Sequence, residues 1–269
     1  ARTPRRPEPC RWGLPMKDFL TRRKLLTAGA ITLGGLALSG CDPLSRSPDF
    51  RAFLKNGEGL TKAAQRTLMF GQPLAREFSE RDISRVFKAN GTKDPNTAAY
   101  KALAADNFNT WRLRIDGLVE RPQSLSLANL RALPSRTQIT RHDCVEGWSA
   151  IGKWQGAQLG PLLQTVGLKP NARFAVMHCA DNYGGGADMY YESIDLIDGF
   201  HPQTILAYNL NGQPLEISHG APLRLRVERQ LGYKQAKYLT RIEIVERLDG
   251  FGRGKGGYWE DRGYEWYAG

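Results

Sequence analysis

The feature that most constrains this chain is a series of short stretches in which apolar and polar residues alternate. Residues 111–117 set Trp, Leu and Ile against Arg, Arg and Asp, the period of a strand with one buried face. Residues 137–140 alternate again and run into Cys144, and Phe174, Val176 and His178 share a face of an expected strand over 173–179. Further strands are expected over 223–227 and 241–245. Residues 204–210 and 213–217 flank Asn211-Gly212, a pair that favours a type I′ turn, so they read as a hairpin. The helical signals are short. They cover 125–133, ended by Pro134; 160–166, with Leu162, Leu163 and Val166 at helical spacing and Gly167 as a stop; and 191–197. Residues 87–92 are turn-like and lead to a loop at Asp94-Pro95. No internal repeat is present. Many short strands with a few short helices predict an α+β domain in one piece.

The front of the chain reads as targeting sequence. Arg22 and Arg23 precede an apolar, Gly-rich run over 25–38, which is short of the roughly 20 residues a membrane span needs and suits a signal peptide. The Arg pair resembles a twin-arginine signal, and Leu38-Ser39-Gly40-Cys41 resembles a lipobox whose Cys41 is acylated. A short amphipathic anchor is the alternative. Asp42 resembles the signal that keeps lipoproteins on the inner membrane. The expected organisation is 1–15 upstream of a start at Met16, 16–41 signal, 42–80 tether with Phe50, Phe53 and Leu54 as scattered anchors, and 81–269 the folded domain. Charge agrees. Residues 1–41 hold eight Lys or Arg against Glu8 and Asp18, leaving 30 basic and 25 acidic residues from Asp42 onward. So mild a remainder gives a nucleic-acid partner little support, but it suits a pocket for an anionic cofactor.

Of four cysteines, Cys10 precedes the expected start and Cys41 sits at the processing site, leaving Cys144 and Cys179 in the domain. Three readings compete for them. An exported pair defaults to a disulfide. His142, Cys144, His178 and Cys179 have the ligand types of a structural zinc site, although adjacent His178 and Cys179 would point to opposite faces of a strand. Cys144 alone, among polar neighbours and with Arg141 able to lower its pKa, reads as a soft metal ligand or a nucleophile. Cys with His and Asp also suggests a thiol hydrolase, but adjacency in sequence does not place a base.

Two blocks carry a resemblance. One is Arg141-His142-Asp143-Cys144-Val145-Glu146-Gly147-Trp148-Ser149, followed by Trp154-Gln155-Gly156 and a Leu-rich helix. The other is His219-Gly220-Ala221-Pro222-Leu223-Arg224, followed by Gly232-Tyr233-Lys234-Gln235-Ala236-Lys237. Together they resemble the sulfite-oxidase-like molybdopterin-dependent oxidoreductases, and within these the catalytic subunits of periplasmic methionine-sulfoxide reductases. The resemblance spans residues 111–245.

It implies a sulfite-oxidase-type molybdopterin-binding domain, α+β, with mixed β-sheets and peripheral helices. Cys144 would be the protein ligand to molybdenum. Cys179, His219, Arg224, Gln235, Ala236 and Lys237 would hold the pterin and its phosphate, with Phe87 and Asn90 from the segment before the first strand. Arg224 offers a planar fork of donors to that phosphate and Lys237 a point charge. Arg141, His142 and Asp181 are the implied catalytic neighbours of Cys144, and Tyr190, Tyr191, Trp259 and Trp266 are candidates for the entrance. Two positions depart from the reductase pattern: Cys179 stands where the family has Thr, and His219 where it has Asn. The implied cofactor is one molybdenum with one molybdopterin. No haem is expected, because the chain lacks Cys-x-x-Cys-His. The stretch after Val245 is too short for the dimerisation domain of sulfite oxidases, so a monomer is expected. The implied partners are a small polar substrate that gains or loses an oxygen atom, a membrane cytochrome b and the twin-arginine export machinery. No nucleic acid is expected. The expected location is the periplasm, anchored to the inner membrane through Cys41.

Overall fold

The computed structural model describes residues 73–183 and 188–267, with parts of 47–67 before them. The start-site, signal and lipobox expectations lie outside the described residues. The chain divides into two units, 1–61 and 62–269, and the second carries everything that follows.

In chain order the described strands are β1 (Leu113–Gly117), β2 (Gln123–Leu125), β3 (Ser135–Cys144), β4 (Trp148–Gln158), β5 (Phe174–Cys179), β6 (Tyr191–Asp195), β7 (Ile205–Leu210), β8 (Gln213–Pro214), β9 (Arg224–Arg226) and β10 (Leu239–Val245). The α-helices that follow residue 73 are α1 (Ala98–Ala105), α2 (Leu127–Arg131), α3 (Leu159–Val166) and α4 (Leu196–Gly199). One sheet runs β2-β1-β10-β5-β6 and the other β3-β4-β7-β8, with β9 paired to β7. Only the first is mixed, through the parallel pair β1–β10; every pair in the second is antiparallel.

The main core lies on the first sheet. Leu113 and Ile115 of β1 alternate inward and meet Ile242 and Ile244 of β10, Met177 of β5, and Leu159, Leu162, Leu163 and Val166 of α3. Each such side chain contributes about 1.5–3 kcal/mol on full burial. A smaller core under the second sheet gathers Phe87, Ala150, Trp154, Ile205 and Ala207.

The Asn211-Gly212 hairpin forms as expected, with φ of 52° and 81° at the two turn residues, although β8 is shorter than the alternation suggested. Three elements differ from the sequence reading. Residues 191–195 form β6 rather than the start of a helix. All five side chains are buried in the ladder to β5, and Asp195 then caps α4 by accepting from the Asp198 amide at 2.9 Å. α1 was not expected; its Ala-rich turns start at Thr97, whose hydroxyl accepts from the Tyr100 amide at 3.2 Å. β4 was missed because its buried positions are mostly small. A Cβ on Gly152 would lie 2.9 Å from the Phe87 ring, and one on Gly156 would strike the Leu206 carbonyl. Residues 73–79, placed in the tether, run along the second sheet, with the Phe78 amide donating to the Ile139 carbonyl at 2.9 Å.

Candidate active site

Cys144 ends one of the longest ladders in the protein. β3 and β4 pair without interruption from Ser135 opposite Ala157 to Cys144 opposite Trp148. The turn between them is closed by the Gly147 amide donating to the Cys144 carbonyl at 3.0 Å, with Gly147 at φ 84°. This hairpin tip presents Cys144 to a cavity of about 330 Å³ that Asn90, Asp181, Tyr190, Gln235 and Lys237 also line. Burial pushes the Cys144 thiol up, against the opposing pull of the Glu146 backbone amide and of Lys88 and Arg224. Arg141 does not lower it, contrary to expectation. Strand alternation turns Arg141 to solvent, where its Nε donates to Asp143 at 3.0 Å.

His142, on the same face of β3 as Cys144, is fully buried. Its Nδ1 faces Arg226 Nη1 at 2.9 Å, and burial, followed by the charges of Arg226 and Arg224, drives its pKa well down. A guanidinium only donates, so Nδ1 accepts and the proton of the neutral ring sits on Nε2. Nε2 faces the Gln235 side chain and lies directly behind cavity-lining Gly232, where a Cβ would come within 2.6 Å of it.

Two neighbouring arginines then differ. Arg226 is paired with Glu228 through two bonds of 3.0 and 2.6 Å, both side chains fully buried. Arg224, equally buried, donates only to the carbonyls of His219 (3.1 Å) and Gln235 (3.2 Å), and its Nε has no partner. Burial and the nearby Arg226 lower its pKa to about 9. Both guanidinium groups stack over Trp154, at 5.0 and 4.3 Å from the ring centre. Lys237 resembles Arg224: its Nζ donates to the carbonyls of Asn90 (2.7 Å), Ser218 (3.0 Å) and Thr92, and burial, then Arg224, brings its pKa to about 7. Among the described residues, no carboxylate pairs with Arg224 or Lys237.

The remaining expected residues divide. Asp181 lines the cavity, and burial raises its pKa against a hydrogen bond from the Thr92 side chain. His219 holds the neighbouring loop, its Nε2 2.9 Å from the Phe87 carbonyl. Phe87 is not in the cavity wall. Its ring packs edge-on to Trp154 at 5.1 Å in the smaller core. Ala236 is a core residue whose carbonyl accepts from Leu225 at 2.8 Å. Cys179 ends β5 in the other sheet and, with His178 and Tyr191, lines a separate cavity. Tyr190 and Trp259 line the Cys144 cavity, whereas Tyr191 and Trp266 do not. Missed were Glu146, Tyr183, Tyr233 and Tyr264, the last three completing an aromatic wall. The tail's aromatic composition was its one signal in the sequence.

The disulfide and zinc alternatives fail on this geometry. Cys144 and Cys179 are free thiols on different sheets. Among the described residues, no three His, Cys, Asp or Glu side chains converge on a common point, and His178 is instead bonded to Glu243 at 3.0 Å.

The donor set fits an anionic pterin. Two buried cations, Arg224 and Lys237, have no directly ion-paired carboxylate among the described residues, although Asp181 and Glu146 lie near Lys237. Arg224 Nε is buried without a partner behind the cavity, and the His142–Gln235 and Asp181–Thr92 side-chain pairs flank a space with a thiol at its edge. Gly220, where a Cβ would press within 2.9 Å of the Lys237 side chain, keeps that lysine's approach open.

A buried-cation pocket with a single cysteine at its rim, built on these two sheets, is that of a pterin-dependent oxidoreductase, and residues 100–250 place the chain in the oxidoreductase molybdopterin-binding domain family. It is therefore a molybdenum-dependent oxidoreductase. It is 35% identical, over 93% of its length and 88% of the relative's, to a putative protein-methionine-sulfoxide reductase subunit of Azospira oryzae. It is 29% identical to the protein-methionine-sulfoxide reductase catalytic subunit MsrP of Xanthomonas campestris, covering 86% of this chain and 71% of that one. The MsrP of Xanthomonas axonopodis is 30% identical with the same coverage. Among solved structures, the sulfane dehydrogenase SoxCD of Paracoccus pantotrophus matches 52% of this chain and 39% of its own at 24% identity, with a TM-score of 0.47.

Proposed function

We propose that this chain is the catalytic subunit of a periplasmic reductase that removes the oxygen atom of a small polar, sulfoxide-like substrate. Electrons would come from a membrane cytochrome b, and Cys41 would tether the enzyme to the inner membrane. The observation that carries this reading is the cavity with Cys144 at its rim and two buried cations bonded only to backbone carbonyls, Lys237 and Arg224, at and behind its wall. The names of the relatives supply the substrate class.

Cys144 Sγ would be the protein ligand to one molybdenum held by one molybdopterin, and the metal's two-electron cycling would supply the oxygen-atom chemistry. Arg224 and Lys237 would hold the pterin phosphate, and Gln235, Asn90 and His219 would shape the pocket around it. His142, fixed by Arg226 as the Nε2–H tautomer, offers a buried donor. Asp181, its pKa raised by burial and opposed by the Thr92 hydrogen bond, places a carboxyl group on the cavity wall. Reduction of a sulfoxide consumes two electrons and two protons and releases a thioether and water, so a carboxyl group at this point would suit proton delivery. The aromatic wall limits water around the reacting groups.

The test is elemental analysis of protein exported from a cofactor-competent host, together with the fluorescence of released, oxidised pterin. About one molybdenum per chain is expected. Cys144→Ser is expected to keep the fold and the pterin but to lose sulfoxide reduction by a factor of at least about 10³. Normal turnover by that variant removes the ligand assignment.

A further inference from the structure

Behind the aromatic wall lies a second buried charge cluster that the proposed chemistry does not use. Lys234 Nζ donates to Glu192 Oε1 at 2.5 Å and to Glu260 Oε1 at 2.6 Å, and all three side chains are essentially fully buried. Burial works against the lysine charge, but Glu192 and Glu260 outweigh it and hold the ammonium above its ordinary range. Burial also raises Glu192, and both carboxyl groups leave Oε2 without a partner. A buried group of this kind is expensive to assemble and adds little net stability, so its use is in fixing geometry.

What it fixes follows from the chain. Each member is next, or next but one, to a residue of the cavity wall: Tyr190 before β6 and Glu192, Tyr233 before Lys234, and Trp259 before Glu260. These come from three distant segments. The Tyr190 hydroxyl donates to the Tyr233 carbonyl at 2.6 Å, and the Tyr233 hydroxyl to the Glu265 carbonyl at 2.6 Å. Tyr264 bridges the last two segments, with ring centres 5.1 Å from Tyr233 and 5.2 Å from Trp259.

We infer that Lys234, Glu192 and Glu260 form an ionic pin that sets the width of the cavity mouth, and that they act as positioning residues for substrate access. The pin itself is independent of the functional reading; only its effect on turnover rests on that reading.

Hydrogen exchange on the full chain, and kinetics of the cofactor-loaded enzyme, test it in Lys234→Met, Glu260→Gln and Gly257→Ala. The third variant keeps every charge. It pushes on the pin sterically, because a Cβ at Gly257 would collide with Glu260 Oε2 and lie 2.7 Å from Glu192 Oε1. It decides the matter should Lys234→Met not fold. Amides of residues 231–236 and 257–264 are expected to exchange about tenfold faster, together, while the β1–β10–β5 ladder keeps its wild-type rates. KM for a sulfoxide-bearing peptide is expected to shift roughly fivefold, with kcat nearly unchanged. Uniform acceleration across the whole chain, acceleration of one segment alone, or no change overturns the pin. Local loosening with an unchanged KM overturns its role at the mouth. Should the wild-type enzyme reduce no sulfoxide at all, the functional reading falls, and the exchange pattern still decides the pin.

Discussion

Arg224 and Lys237 on one side of the cavity, and Lys234 on the other, are all buried cations, yet they are treated oppositely. Lys234 has two carboxylates and Arg226 has one, so those charges are balanced within the chain. Arg224 and Lys237 have only carbonyl oxygens, and their pKa values fall to about 9 and about 7 as a result of burial among other cations. A matched buried charge belongs to the architecture. An unmatched one, beside an open cavity, belongs to a ligand.

The contrast can be broken most forcefully at its matched side. Glu228→Gln leaves Arg226 charged, buried and without its acid, and is expected to cost about 3–5 kcal/mol, read as a fall in the denaturation midpoint. A loss under about 1 kcal/mol would mean that the pair is not the matched charge described here. Arg224→Met, at the unmatched side, should have the opposite signature. The chain without cofactor is expected to be as stable as wild type or more so, while retention of molybdopterin weakens by about 10- to 100-fold, the value of a charge-assisted contact. Equal destabilisation with and without cofactor would place Arg224 among the architectural charges.

A third test concerns pH. The unfolded Lys237 titrates near its ordinary value of 10.5 and the folded one at about 7. Between these values the unfolded chain binds more protons, so the lysine's destabilising contribution is fully present below about pH 7 and is relieved as pH rises toward 10. Thermal unfolding of cofactor-free protein, compared with Lys237→Met, should show wild type gaining on the variant across that window. Bound molybdopterin phosphate should flatten the trend, and a parallel pair of pH profiles would contradict it.

How much of this was legible depended on the range of the interactions. The Asn211-Gly212 hairpin and α3 are written in local pattern and formed where expected. Cys144, Gln235 and Lys237 stand in the two motif blocks and share one cavity, and Asn90 and Asp181, outside those blocks, line it too. β4 escaped because Ala150, Gly152 and Gly156 fill its inward positions, so the alternation is of size rather than of polarity. β6 was misread because Glu192 looks like a solvent-facing residue until Lys234, far along the chain, is seen beside it. Phe87 and Ala236 were given to the cofactor, but one packs on Trp154 and the other in the main core. The aromatic wall joins residues 183, 190, 233, 259 and 264, and no local pattern announces such a meeting.

β10 lies at the centre of the first sheet, between β1 and β5, although it is the last of the described strands in sequence. Its partner β1 is more than a hundred residues earlier, joined in parallel from Arg114 opposite Arg241 to Gly117 opposite Ile244. Until residues 239–245 have been synthesised, β2–β1 and β5–β6 are two separate hairpin-like pieces with exposed inner edges. The sheet therefore assembles late and by a long-range closure, which is slow and leaves the nascent chain open to self-association for as long as it waits.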